Sequence, residues 1–312
     1  MQLPSENRPL IIIVGPTAVG KTAVSINLAE YFSGEIISAD SRLFYRGMDI
    51  GTAKPKKDEL RRVAHHLVDV SNPNQVWSLV KFQEAAYQAI NDILRRGKIP
   101  FLVGGTGQYI FSIVEGWEIP EAKPNPALRR ILADLAKKVG PDKLHKRLGE
   151  IDPEAASRIE PQNVRRTIRA FEVILITGKK FSAQRIKSGS PYKNLILGIH
   201  RSRTNLYDRI DRRIETMLEN GFIDEVKNLL KEGYSPNLPP LSAIGYRQII
   251  RYLEDDISLD QAVMLMKRLT RQYVRRQSNW FKKGDPRIHW FDANSNLQED
   301  MARLIKGFLQ NP

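Results

Sequence analysis

Residues 15 to 22 read Gly15-Pro16-Thr17-Ala18-Val19-Gly20-Lys21-Thr22, a complete G-x-x-x-x-G-K-T phosphate loop. It follows the apolar run Leu10-Ile11-Ile12-Ile13-Val14 and opens a helical pattern from Ala23 to Phe32. That strand–loop–helix setting separates a working phosphate loop from a chance match. Glycines let backbone N–H groups turn inward around an anion, and the helix N-terminus adds partial positive charge. In such a loop Lys21 reaches the terminal phosphate and the Thr22 hydroxyl can ligate Mg²⁺. The loop constrains the fold as well, because it demands a buried parallel strand feeding a helix.

The surrounding sequence meets that demand. Glu35-Ile36-Ile37-Ser38 reads as a short strand ending at Asp40, and His66-Leu67-Val68 as another. Ser78 caps a long amphipathic helix that stops at Gly97, before the strand Pro100–Val103. This alternation predicts an α/β fold: a P-loop NTPase-like core with a parallel sheet covered by helices. Ligands of such sheets sit beyond the carboxyl ends of the strands. Asp40, Ser41 and the Gly104-Gly105-Thr106-Gly107 turn lie at such ends, beside the phosphate loop.

At Pro120-Glu121-Ala122-Lys123-Pro124-Asn125-Pro126 three prolines in seven residues mark a hinge or boundary. Helical patterns follow over Ala127–Val139, Pro141–Leu148, Pro153–Ile159 and Pro161–Thr177, and then Leu195–Ile199 returns as a strand. Residues 121–185 therefore read as an all-helical insertion into a core made of 1–120 and 186–312. A strand and a helix close the chain. Its Pro-rich lead-in predicts that the insertion swings on binding a partner.

Charge separates the same regions. Of the net +14, residues 1–120 carry 13 Lys/Arg against 12 Asp/Glu, and residues 121–312 carry 36 against 23. A positive field so broad suits a polyanion rather than a small anion. Lys267–Lys283 holds seven Lys/Arg and no acid, interleaved with Tyr273, Trp280 and Phe281. Basic groups neutralise phosphates and aromatic faces stack unpaired bases, although the same rings could simply pack a helix down. Cysteine is absent, which excludes disulfides, thiolate catalysis and Cys-type zinc sites. No apolar run reaches membrane-span length, and the polar start predicts a cytoplasmic protein, a monomer without a membrane partner. Adjacent His65 and His66 would point to opposite faces of a strand, so they read as structural.

Three motifs in register carry a resemblance: the phosphate loop, Asp40-Ser41 running through Tyr45 and Gly47-Met48-Asp49-Ile50-Gly51-Thr52-Ala53-Lys54-Pro55, and Val103-Gly104-Gly105-Thr106 with Tyr109. Arg209-Ile210 with Arg213, Ile244-Gly245-Tyr246-Arg247-Gln248, and Arg276-Gln277 with Trp280-Phe281 extend it over about residues 10–290. The chain resembles the bacterial tRNA dimethylallyltransferases, without the zinc finger of some eukaryotic relatives. The resemblance implies transfer of a dimethylallyl group from dimethylallyl diphosphate to the exocyclic amine of the adenosine 3′ of the tRNA anticodon. It implies Mg²⁺ as cofactor and the tRNA anticodon stem-loop as partner. By resemblance Asp40 is the general base, Thr106 orients the amine, and Arg213 with Arg209 joins Gly15–Thr22 in holding the diphosphate. The tRNA contacts it implies are Asp40, Ser41, Arg42, Leu43, Thr106, Gln162, Asn163, Val164, Arg165, Arg166, Ser242, Ala243, Ile244, Gly245, Tyr246, Arg247, Arg276, Gln277, Trp280 and Lys282. The helical insertion would grip the anticodon stem, with Arg169 beside Arg165 and Arg166.

From the residues alone other readings stay open. Asp40 could cap the next turn, and Arg209 and Arg213 could pair with Asp208 or Asp211 on a solvated face. A phosphate-loop kinase would explain the first 120 residues but not the basic remainder. An ATP-dependent RNA-binding protein would explain the charge. However, Phe101–Gly105 lacks the Asp-Glu that a helicase motor places after that strand.

Overall fold

The computed structural model describes residues 8–120, 124–184 and 187–310. They form two compact units, Met1–Val114 with Ser190–Pro312, and Glu115–Gly189.

In the first unit, β1 (Pro9–Val14) is a run of five fully buried apolar residues, as expected of a strand covered on both faces. Around it lie β2 (Gly34–Ser38), β3 (His65–His66), β4 (Ile99–Gly104), β5 (Lys193–His200) and β6 (Ile288–Asp292). Among the described residues these pair in parallel, in the order β3-β2-β4-β1-β5-β6. The helices of this unit begin with α1 (Lys21–Tyr31), α2 (Lys57–Arg62), α3 (Leu79–Arg95) and α4 (Gly107–Val114). In the second unit α5 (Pro126–Val139), α6 (Pro141–Ile151), α7 (Pro153–Ser157) and α8 (Val164–Thr177) follow. The first unit then resumes with α9 (Arg203–Glu219), α10 (Phe222–Lys231), α11 (Tyr246–Leu253), α12 (Leu259–Gln277) and α13 (Leu297–Gln310). Ser78 caps α3 as expected, accepting from Lys81 N–H at 3.2 Å. The sheet places the carboxyl ends of β2, β4, β1 and β5 side by side, and that edge carries the site.

Several expected boundaries move. The expected strand His66–Val68 is instead His65–His66, because Leu67 and Asp69 take left-handed φ of 60° and 54°, which ends an extended run. The helix expected from Pro161 starts at Val164, where Asn163 caps it by accepting from Arg166 N–H at 3.2 Å. The helix expected over Pro153–Ile159 stops at Ser157. His66 is tied to buried Glu35 at 2.7 Å, and His65 meets the Val63 carbonyl at 2.8 Å.

The second unit has its own core, with Leu132, Leu144, Leu148, Ile159, Ile168 and Phe171 packed together. Buried Glu172 accepts from Arg129, Arg169 and the Asn125 N–H, and buried Asp152 accepts from Ala155 and Ser182. The expected boundaries of 121 and 185 fall at Glu121–Lys123 and Arg185–Ile186, outside the described residues. The compact unit itself starts earlier and ends later. Trp117 and Lys187 form a bridge, and Ser188 N–H donates to Gly116 O at 3.1 Å, so its two ends meet. Among the described residues, no helix is long and apolar enough to cross a membrane.

Candidate active site

The phosphate loop leaves β1 through Gly15, whose φ of 153° and tight surroundings explain its glycine. An added Cβ would lie 2.6 Å from the Ile199 carbonyl of β5. Lys21 Nζ turns back to donate to Gly15 O at 2.9 Å and Pro16 O at 3.0 Å. Two guanidiniums brace the same loop from outside. Arg209 Nε donates to Ala18 O at 2.8 Å, and Arg201 Nε donates to Val19 O at 3.0 Å. Arg213, one turn after Arg209 on α9, donates to Thr52 O at 3.2 Å.

Four cations at one strand edge repel one another and lose water together. Burial pushes the Lys21 ammonium down to about 8; the nearby Asp40 carboxylate opposes this, and Arg213 adds to it. Burial likewise lowers Arg213, against the pull of Asp40. Arg209 is lowered by burial and by its neighbours Arg201 and Arg212. The alternative in which Asp208 or Asp211 pairs with Arg209 or Arg213 does not occur among the described residues: Asp211 pairs with Arg271 at 2.5 Å, and the two arginines donate to the Ala18 and Thr52 carbonyls. Arg201 was missed in the sequence. Its place directly after β5 is the strand-end signal that could have found it.

Opposite this cationic wall stands Asp40, at the carboxyl end of β2. Its Oδ1 accepts from Arg42 N–H at 3.0 Å, so the turn role is real, and the carboxylate still acts electrostatically on Lys21 and Arg213. Thr106 Oγ1 accepts from Ser41 N–H at 3.4 Å, which ties the turn after β4 to the turn after β2. Tyr273 lines the same cavity as Thr106, and burial pushes its hydroxyl up to about 12, with Asp40 adding to the rise. Tyr273 stood in the sequence only as one ring of a basic stretch; its place in the same cavity as Thr106, 167 residues away in sequence, is invisible there.

Asp40, Thr106, Arg213 and Tyr273 share a cavity of about 540 Å³. Thr17, Asp40, Ser41, Arg42, Thr106 and Arg213 line it, with Ser242–Tyr246, Arg276, Gln277 and Trp280. One wall is apolar, made by Ile210, Ile214, Met217 and Met266. Thr22 lies exposed on the first turn of α1, next to Lys21.

Several expected RNA-contacting side chains are engaged within the protein. Tyr246 is fully buried, packs edge-on against Phe222 and donates its hydroxyl to Glu225 at 2.6 Å. Arg42 donates to the carbonyls of Pro239 and Pro240 at 3.1 and 3.3 Å. Gln277 is buried and bonded at both ends of its amide. Phe281 is buried, whereas Trp280 is partly exposed, stacking near Phe111 at 6.1 Å. Arg276, Lys282 and Arg247 are exposed. In the second unit Arg165 and Arg166 are exposed, Gln162 donates to Asp142 at 3.3 Å, and Arg169 pairs with Glu172 at 2.5 Å.

Glu225 is the largest omission of the sequence reading. From α10 its carboxylate accepts from the N–H groups of Asp49 (2.8 Å), Ile50 (2.6 Å) and Gly51 (3.1 Å), besides the Tyr246 hydroxyl. The Gly47–Pro55 motif is thereby a tied loop that presents the Thr52 carbonyl to Arg213. Lys54, nearly buried, secures its far end to Asp49, Asp69 (2.5 Å) and Tyr45 O (3.0 Å).

The fold and the cavity thus define a phosphate-loop α/β protein in which an anion cradle faces a carboxylate across a part-apolar pocket. A family model described as IPP transferase matches residues 43–284, and one described as isopentenyl transferase matches 9–74. A tRNA dimethylallyltransferase of a Roseiflexus species is 47% identical over 96% of this chain and 99% of its own. That of Thermomicrobium roseum is 44% identical over 97% and 93%. Among solved structures, the tRNA isopentenylpyrophosphate transferase of Bacillus halodurans matches with TM-score 0.73 and 39% identity, covering 97% of each chain. A eukaryotic dimethylallyltransferase acting on tRNA matches with TM-score 0.80 and 29% identity, over 96% of this chain and 78% of that one. The chain belongs to the tRNA dimethylallyltransferase family.

Proposed function

We propose that this enzyme transfers a dimethylallyl group from dimethylallyl diphosphate to N6 of the adenosine immediately 3′ of the anticodon in tRNA. The observation that carries the reading is the single cavity shared by Asp40, Thr106 and Arg213, with the Lys21 loop behind it and exposed Arg276 at its rim. The Ile210–Ile214–Met217–Met266 wall suits a five-carbon chain, which has no polar group to satisfy.

The nucleophile is weak, since the adenine amine delocalises its lone pair into the ring. Asp40 takes an amine proton as the N6–carbon bond forms, and Thr106, tied to the Ser41 N–H, orients that amine. The carbon–oxygen bond to diphosphate breaks, and its electron pair leaves with the oxygen. Lys21, Arg209, Arg213 and the loop N–H groups stabilise the charge growing there. For Mg²⁺ the chain offers the exposed Thr22 hydroxyl, a hard oxygen donor on the first turn of α1 beside Lys21. When bound, the ion would neutralise diphosphate charge. The target base is stacked in its loop and must be turned out to enter the cavity.

The test is transfer of label from dimethylallyl diphosphate, with Mg²⁺ and no ATP, to unmodified tRNA carrying adenine at that position. A tRNA with guanine there should take up none. ATP hydrolysis without labelled tRNA would reopen the kinase and motor readings, which family membership disfavours.

A further inference from the structure

Helix α12 reaches two loops with one side chain. Gln277, on its last turn, is 4% exposed. Its Oε1 accepts from Thr17 N–H in the phosphate loop at 3.0 Å, and its Nε2 donates to Gly105 O at 3.0 Å. Those loops follow β1 and β4, which are neighbours in the sheet. The approach is close: a Cβ on Gly105 would lie 2.4 Å from Gln277 Nε2, so the glycine admits the amide. Trp280, three residues further on, lies where a Cβ on Gly107 would be 2.2 Å away. The last turn of α12 and the turn after it therefore pack closely on Gly105 and Gly107.

A primary amide suits this place because it offers an acceptor and a donor on one planar group. A carboxylate lacks the donor, and an ammonium or guanidinium lacks the acceptor. We propose that Gln277 is a positioning residue for the transfer reaction, setting the separation between the loop that holds diphosphate and the loop that carries Thr106. The inference rests on the prenyltransferase reading. Each end of the amide makes one hydrogen bond inside the protein, so the positioning role does not depend on a contact with RNA. Bond formation requires reacting atoms about 3–3.5 Å apart, and a displacement near 1 Å can cost on the order of 10²-fold in rate. Loss of the Gln277 link should therefore be felt in the chemical step and hardly in either binary complex.

Q277M removes both hydrogen bonds at similar volume. Q277E keeps an acceptor for Thr17 but offers Gly105 O no donor, and it serves if Q277M does not fold. For each, the affinities for dimethylallyl diphosphate alone and for tRNA alone would be measured, then the single-turnover rate in the saturated complex. The expected result is binary affinities near wild type and a rate about 10- to 100-fold lower in both variants. A wild-type rate in a folded variant would overturn the inference, as would a loss lying wholly in one binary affinity. If the wild-type protein itself transfers no label, the activity reading fails first, and the inference falls with it.

Discussion

In the proposed reaction Asp40 would serve the amine and Lys21 the departing diphosphate. The carboxylate stands at the end of β2 and the ammonium at the start of α1, each within the other's field and that of Arg213. Removing the carboxylate charge by Asp40→Asn should lower turnover by roughly 10²–10⁴-fold while tRNA affinity stays near wild type. A filter-binding titration beside a transfer assay separates the two, and undiminished turnover would refute the base assignment. Lys21 makes a pH prediction. Its folded-state pKa is lowered to about 8, so the ammonium that an anion needs is present below that value and lost above it. Dimethylallyl diphosphate affinity should be nearly flat up to pH 8, then weaken by up to about tenfold per unit. In Lys21→Met the affinity should be weak throughout, with that dependence gone.

At the scale of elements, the strands and the phosphate loop were legible because they obey local rules: an apolar run, a glycine pattern, a Ser cap. The loop of residues 47–55 was legible as a motif but not as a structure. Its stabilising partner, Glu225, lies about 175 residues onward and carries no local signature. Glu225→Ala would strand three backbone N–H groups and the Tyr246 hydroxyl, at about 1–3 kcal/mol for each group left buried and unpaired. A clear drop in thermal midpoint should follow, together with weaker diphosphate binding through Arg213 and Thr52. A variant that lowers neither would detach this loop from the site. The basic stretch was likewise read only in part. Lys267 pairs with Glu215 at 2.6 Å and Arg271 with Asp211, so acids on α9 claim charges that seemed free along the chain.

For the whole molecule, the asymmetry of charge predicts how binding responds to salt. Arg268, Arg276, Lys282 and Lys283 remain exposed after the α9 pairs are subtracted. If Arg276 meets a phosphate, Arg276→Ala should weaken tRNA binding evenly across sequences and reduce the slope of log affinity against log salt by about one. An unchanged slope would strike it from the phosphate contacts.

The meeting of Trp117 with Lys187 has a consequence beyond marking a border. A segment whose first and last residues touch can lengthen, shrink or be exchanged without altering the path of the chain that hosts it. The sheet that builds the reaction cavity and the helices of Glu115–Gly189 are thus free to vary on separate schedules. Grafting the helical module of one relative onto the core of another becomes a matter of joining two adjacent points.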